Sequence, residues 1–227
     1  MAKHERGFDI DAAVAHLSRR DKKLGRWIER IGALEIEAWD KKFDTVDALA
    51  RSILYQQLSV KAAATIVGRV EKAIGSKKIT TESLATVQDE QLRACGVSGN
   101  KTMALRDLAT RHGQGEIPSA AQFSKLSNDE IIEKLVAVRG IGRWTVEMML
   151  MFRLGRPDVL PVDDLGVRKG AQIIDKLEVM PTPKELLLRG EKWAPYRTLA
   201  AMYCWRIVDS ISAAKAEAKV KVKRSQD

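Results

Sequence analysis

Apolar residues recur along almost the whole chain at the spacing of one α-helical face, and no run of alternating apolar and polar residues bounded by turn signals interrupts them. Strand side chains point to opposite faces in turn, so a sequence without that alternation offers no half-buried strand. An all-α fold is therefore expected. Helices are predicted over about 10 to 19, 22 to 31, 45 to 57, 59 to 74, 81 to 86, 89 to 94, 99 to 112, 119 to 124, 128 to 138, 143 to 153, 164 to 174, 183 to 190 and 196 to 214. Ser59, Ser127 and Asp163 are the candidate N-caps, and Gly32, Gly75 and Gly113 stand where helices should stop. The 227 residues, 45% of them hydrophobic, suffice for one sizeable domain or two small lobes sharing a core. From about Ala213 the large apolar residues give out and lysine becomes frequent, so a frayed basic tail is expected there.

Lys and Arg number 39 against 30 Asp and Glu, a formal charge of +9 that favours a polyanionic partner over an acidic small molecule. Charge alone leaves a membrane surface open. Cys95 and Cys204 stand far apart without metal-ligand spacing, so neither a disulfide framework nor a thiolate metal site is expected, and a reducing compartment fits. The polar stretch Met1 to Gly7 precedes no apolar run of membrane length, so neither a secretion signal nor a transmembrane span is expected, and no membrane is assigned as partner; the expected location is cytoplasmic, or nuclear in a eukaryote.

In LVAVRGIGRWTVEMML, residues 135 to 150, Gly140-Ile141-Gly142 joins two helical patterns by a link short enough only for a tight hairpin. Glycines let the chain turn and present successive N–H groups at the start of the second helix, where the dipole favours an anion such as a DNA phosphate. Ile141 would anchor the turn, with Arg139 and Arg143 at its rim. A dinucleotide-binding loop is set aside, because a third glycine is missing and the preceding segment reads as helix. An ordinary helix corner with a glycine pair stays open at this point. In LRACGVSGNKTMALRDLA, Gly96 and Gly99 mark a similar turn, which reads best as a glycine stop followed by a helix starting at Ser98 and, second, as another backbone contact.

LPVDDLGVRKG, residues 160 to 170, places Asp163-Asp164 at the start of a helix. Asp163 is read as the cap. A carboxylate beside a phosphate-holding hairpin in a basic protein is misplaced electrostatically unless positive charge develops near it during a reaction, which singles out Asp164.

ARSILYQQLSVKAA (50 to 63), CGVSGNKTMALRDLA (95 to 109), VRGIGRWTVEMMLMF (138 to 152), LPVDDLGVRKG (160 to 170) and WAPYRTLAAMYCWR (193 to 206) together resemble the helix-hairpin-helix DNA glycosylases, most closely the 3-methyladenine DNA glycosylase II branch. The resemblance covers roughly 70% of the chain, and the joint occurrence of its pieces is its specificity. It implies two helical lobes with a cleft between them within about 1 to 212, one lobe from about 45 to 155 and the other from about 1 to 44 plus 156 to 212, leaving 213 to 227 as tail. It implies Asp164 as catalytic carboxylate, a base pocket with Trp144, Trp205 and Met148, and a wedge at Gln57 or Leu58. Tyr55 is assigned to the core. The DNA backbone falls to Gly140, Ile141, Gly142, Arg143, Lys101 and Lys61, with Arg168 and Lys169 as further cations, and Arg197 joins the lobes. Backbone carbonyls of Val136, Val138 and Gly140 would hold a monovalent cation, and no cofactor is implied. Trp144 stands where the lyase branches carry lysine, so a monofunctional hydrolase is expected, and two cysteines are too few for an iron–sulfur cluster. The implied partner is double-stranded DNA containing damaged bases, met by a single copy of the chain. Excision of another lesion, such as ethenoadenine or hypoxanthine, or a non-catalytic DNA-binding module, remains the alternative.

Overall fold

The computed structural model describes residues 7–36, 39 and 43–224, with side chains up to Ala214. Among them the chain forms α1 (Ile10–Arg20), α2 (Lys22–Ile31), α3 (Thr45–Tyr55), α4 (Val60–Ala73), α5 (Thr81–Ala85), α6 (Asp89–Ala94), α7 (Gly99–Gly113), α8 (Asn128–Val136), α9 (Arg143–Phe152), α10 (Leu165–Asp175), α11 (Pro183–Arg189) and α12 (Arg197–Arg224). No described residue is in β structure, and no described helix is long and apolar enough to cross a membrane. The helices begin where a short polar side chain takes up an N–H that has no helical partner: Asp9, Asp21, Asp44, Ser59, Ser98, Ser127, Asp164 and Thr182 each accept one from the first turn. Ser127 and Thr182 do so reciprocally with Glu130 and Glu185.

Four departures from the expected pattern have local causes. In the segment 119 to 124 only a 3-10 turn forms, at Gln122–Lys125, and the extended backbone of Leu126, with ψ 144°, ends it before an α-helical turn can follow. Helix α3 stops at Tyr55 because Gln57, with φ 55°, is left-handed and cannot continue it. The N-cap of α10 is Asp164, not Asp163, whose side chain is exposed. The last helix does not fray at Ala213 but runs to Arg224, since the Ala, Glu and Lys of that stretch are among the best helix formers even without an apolar face.

The described residues divide into two compact units, one within Asp40–Met149 and the other within Arg6–Trp39 and Leu150–Asp227, the division falling inside α9. In the first, α3 packs on α4 and α7, and α5 and α6 pack on α7. Its core draws on Leu49 and Ile53 of α3, Val67 and Val70 of α4, and Leu105 and Leu108 of α7, all buried. In the second, α12 packs on α10, α2 and α1. Asp21, only 2% exposed, ends α1, caps α2, pairs with Arg189 and accepts from the buried Trp193 indole.

The contact between α10 and α12 is set by backbone. A Cβ added at Gly170 would meet the Cys204 Cβ and lie 2.6 Å from the Cys204 Cα and carbonyl oxygen. Neither a backbone atom nor a Cβ can rotate aside, so Gly170→Ala must spread the two helices, at a cost of about 1–3 kcal/mol. A fall in the urea unfolding midpoint with an unchanged slope checks this, and an unchanged midpoint would refute it.

Candidate active site

In the first unit, α8 ends at Val136 and the chain turns through Gly140, whose φ of 77° is open to glycine at little strain. Ile141 is buried at 4% exposure and its N–H donates to the Val138 carbonyl at 3.0 Å, so it anchors the turn as expected. The Arg139 N–H is taken by Asp107 at 2.8 Å. Gly142 and Arg143 are exposed at the amino end of α9, the positive end of its dipole. A dinucleotide loop is ruled out by the helix that precedes the turn. Arg143 donates through Nε to Glu147 Oε1 at 2.9 Å, which fixes its stem while the side chain stays 56% exposed.

The turn between α3 and α4 presents Gln57 and Leu58 to solvent, Leu58 at 40% exposure. Tyr55, assigned to the core, is 39% exposed instead, because it is the last residue of α3 and faces away from the packed side. Lys61 is exposed in the first turn of α4. Lys101 differs from an outward phosphate ligand: its Nζ donates to the carbonyls of Leu54 and Gln56, each at 2.8 Å. Gln56, which the sequence reading passed over, donates through Nε2 to the Gly140 carbonyl at 2.8 Å. Of the carbonyls expected to hold a cation, that of Gly140 accepts from Gln56 and that of Val138 from the Ile141 N–H, which leaves each a second lone pair. The earlier turn is a glycine stop at Gly96, φ 96°, with buried Val97 and a helix capped by Ser98.

In the second unit, a turn at Val162 and Asp163, closed by the Asp164 N–H donating to the Pro161 carbonyl at 3.1 Å, leads to Asp164, half-buried at the start of α10. Its Oδ1 accepts the Val167 N–H and the Trp205 Nε1–H, both at 2.8 Å. Gly166 leaves room for that second bond, since a Cβ there would stand 2.6 Å from the Trp205 ring and 3.1 Å from Asp164 Oδ1. The other side of the Trp205 indole stacks on Phe152, with centroids 5.9 Å apart and planes at 24°. Trp205 and Phe152, with Trp39, Met202, Leu34 and Ile36, line a cavity of about 730 Å³ that also takes in Glu35, Arg153 and Arg206. That volume lies within the range of small-ligand sites.

Trp39 is held by donation from Nε1 to the Met151 carbonyl at 2.9 Å. Trp144, half exposed, and Met148 lie two turns and one turn before Phe152 on the same face of α9, a spacing that would have pointed to Phe152. Arg197, expected to join lobes, pairs with Asp158 inside its own unit at 2.6 and 2.7 Å, and Arg168 donates to the Pro181 carbonyl. Burial pushes the Cys204 thiol up to about 12, which removes it as a nucleophile at neutral pH. Among the described residues no group of His, Cys, Asp and Glu is placed to hold a metal ion. The chemistry available is thus a fixed carboxylate joined through one indole to an aromatic cavity.

Residues 50–195 match the profile of the HhH-GPD superfamily base excision DNA repair protein. The chain is 37% identical over 205 residues to the DNA-3-methyladenine glycosylase 1 of Schizosaccharomyces pombe, covering 90% of each protein. Its fold is similar to that of the S. pombe 3-methyladenine DNA glycosylase solved in complex with abasic DNA, with a TM-score of 0.74 over 86% of this chain and 95% of that one, at 37% identity. It is also similar to a DNA-3-methyladenine glycosidase from Bacillus halodurans, with a TM-score of 0.80 at 36% identity over 88% of this chain and 91% of that one.

Proposed function

Because the chain belongs to the HhH-GPD superfamily of base excision DNA repair proteins, we propose that it removes alkylated purines from DNA by a hydrolysis centred on Asp164. It is a DNA glycosylase of the 3-methyladenine kind, and its partner is duplex DNA with damaged bases. One observation carries the assignment to Asp164: a single indole, Trp205, both walls the aromatic cavity and donates to the Asp164 carboxylate. A base stacked in that cavity brings its sugar toward the carboxylate.

Breaking an N-glycosidic bond develops oxocarbenium charge on the deoxyribose, so a preorganised carboxylate stabilises the transition state more than the ground state. A ring-methylated purine such as 3-methyladenine or 7-methylguanine is cationic and leaves without a general acid. Its charge also favours aromatic faces, by about 0.5–2 kcal/mol for each contact. Trp144 offers such a face, and Met148 a soft neighbour to it. The exposed Gln57–Leu58 turn fills the space that the flipped base vacates. The hairpin Gly140 to Arg143 holds a backbone phosphate, with Lys61 as a peripheral cation. An indole at Trp144, where an amine would be needed for a Schiff base, leaves water as the acceptor of the sugar. Such an enzyme works where DNA is kept, in the cytoplasm at the nucleoid or in a nucleus.

Chromatography of bases freed from DNA bearing methylated, ethenoadenine, hypoxanthine and oxidised guanine lesions is expected to show methylated purines foremost, leaving intact abasic strands. A profile led by oxidised guanine would overturn the substrate class. A borohydride-trapped protein–DNA adduct would overturn the hydrolytic route.

A further inference from the structure

We propose that Lys101 is a positioning residue for base extrusion: bound to the carbonyls of Leu54 and Gln56, it holds the Gln57–Leu58 turn in the shape that enters the duplex, while the Gln56 carboxamide ties that turn to the Gly140 hairpin. This rests on the reading of the chain as a base-flipping glycosylase.

Helix α3 ends at Tyr55, and the carbonyls of its last turn lack helical partners. One ammonium gathers two carbonyls there, one from inside the helix and one from beyond its end. The peptide plane between Gln56 and Gln57 is oriented by ψ 135° at the first residue and φ 55° at the second. With its oxygen held on Lys101 that plane cannot swing, so Gln57 stays left-handed although a non-glycine residue is strained there. An exposed turn keeps such a conformation only when its surroundings determine it.

The placement of Lys101 argues for this role over phosphate binding. It lies in the first turn of α7, where the helix dipole disfavours a cation, and the carbonyl-rich end of α3 offsets that. Two of its three N–H donors are used within the protein. Burial holds its pKa below the ordinary lysine value, whereas a phosphate ligand would be solvated before DNA arrives. The Gln56 amide then joins this turn to the left-handed glycine of the hairpin, across a cavity of about 440 Å³ that Ser98, Asn100 and Arg139 also line. Holding the backbone and extruding the base become one geometric event.

Lys101→Met keeps the length of the stem and removes the ammonium. Its single-turnover release of 7-methylguanine from duplex DNA should fall about tenfold or more, and the fluorescence rise of 2-aminopurine beside the lesion should fall with it. Release from single-stranded methylated DNA, where no base pair opens, should change less than about twofold, and the slope of log affinity against log salt should stay as in the unmodified chain. Gln56→Met, at a partly exposed side chain, should give the same pattern in milder form, and it carries the test if Lys101→Met does not fold. A salt slope shallower by about 0.9, with duplex and single-strand release falling together, would make Lys101 a phosphate contact and overturn the proposal. Unchanged duplex release in both variants would overturn it as well. If the unmodified chain frees no methylated purine, the proposed function fails, while the fluorescence and salt slope still report on Lys101.

Discussion

Asp164→Asn is expected to cut release of methylated purines by about a hundred- to a thousandfold, while affinity for abasic-site duplex and the melting temperature stay close to those of the unmodified chain. The substitution is clean because of where Asp164 sits. Its Oδ1 caps α10 through the Val167 N–H and accepts the Trp205 indole N–H, and an asparagine carbonyl can accept both. Asparagine is as good an N-cap as aspartate, so the fold loses little. On the proposed mechanism, what disappears is the negative charge set against a sugar that becomes positive in the transition state. Undiminished base release by this variant, measured in single turnover, would remove Asp164 from the mechanism.

Asp21→Ala is expected to destabilise the protein by about 3–5 kcal/mol, because it leaves the Arg189 guanidinium partly unpaired in a buried site. Arg189 Nη1 lies 2.6 Å from Asp21 Oδ2, its Nε donates to Asp175 at 2.7 Å, and its plane covers the Trp193 ring at 4.4 Å. The surviving Asp175 partner argues for the lower end of that range. Burial by itself would push the Asp21 carboxyl up, but the Arg189 hydrogen bond and charge, with the Trp193 and Leu24 donors, hold it below the ordinary value of 3.8. Asp175 behaves alike: burial pushes it up, and Arg189 and Lys23 outweigh that.

A carboxylate whose folded value is depressed contributes stability in full above its unfolded value and loses it as pH falls through the folded one. Stability from this pair should therefore persist down to about pH 4 and decline below it. Asp21→Asn, which keeps the cap but not the charge, should melt lower at neutral pH and lose less on acidification. Melting curves between about pH 6 and pH 2 check both, and parallel acid profiles for the two proteins would refute the assignment.

Much of the fold was legible because helical period, caps and glycine stops are local signals. Ser59 and Ser127 start helices as expected, and Ile141 anchors its turn. The cap of α10 moved from Asp163 to Asp164, since either of two adjacent acids satisfies the local rule and the Trp205 partner, distant in sequence, helps decide. Lys101 read as a surface cation because nothing local to it shows that the carbonyls of Leu54 and Gln56 converge on its ammonium. Trp39 lies in a stretch without helical period, so its place in the cavity follows only from the tertiary fold. Phe152 was within reach, one helical face along from Trp144, but its partner Trp205 arrives from another helix.

The two thiols acquire a meaning from the proposed working conditions. An enzyme that clears methylated bases is most needed when electrophiles that methylate DNA are present, and those reagents also attack thiolates. Cys95 and Cys204 are both buried, and the Cys204 thiol is kept protonated by its surroundings. Neither offers a ready nucleophile, so the repair catalyst is shielded from the chemical insult whose products it removes.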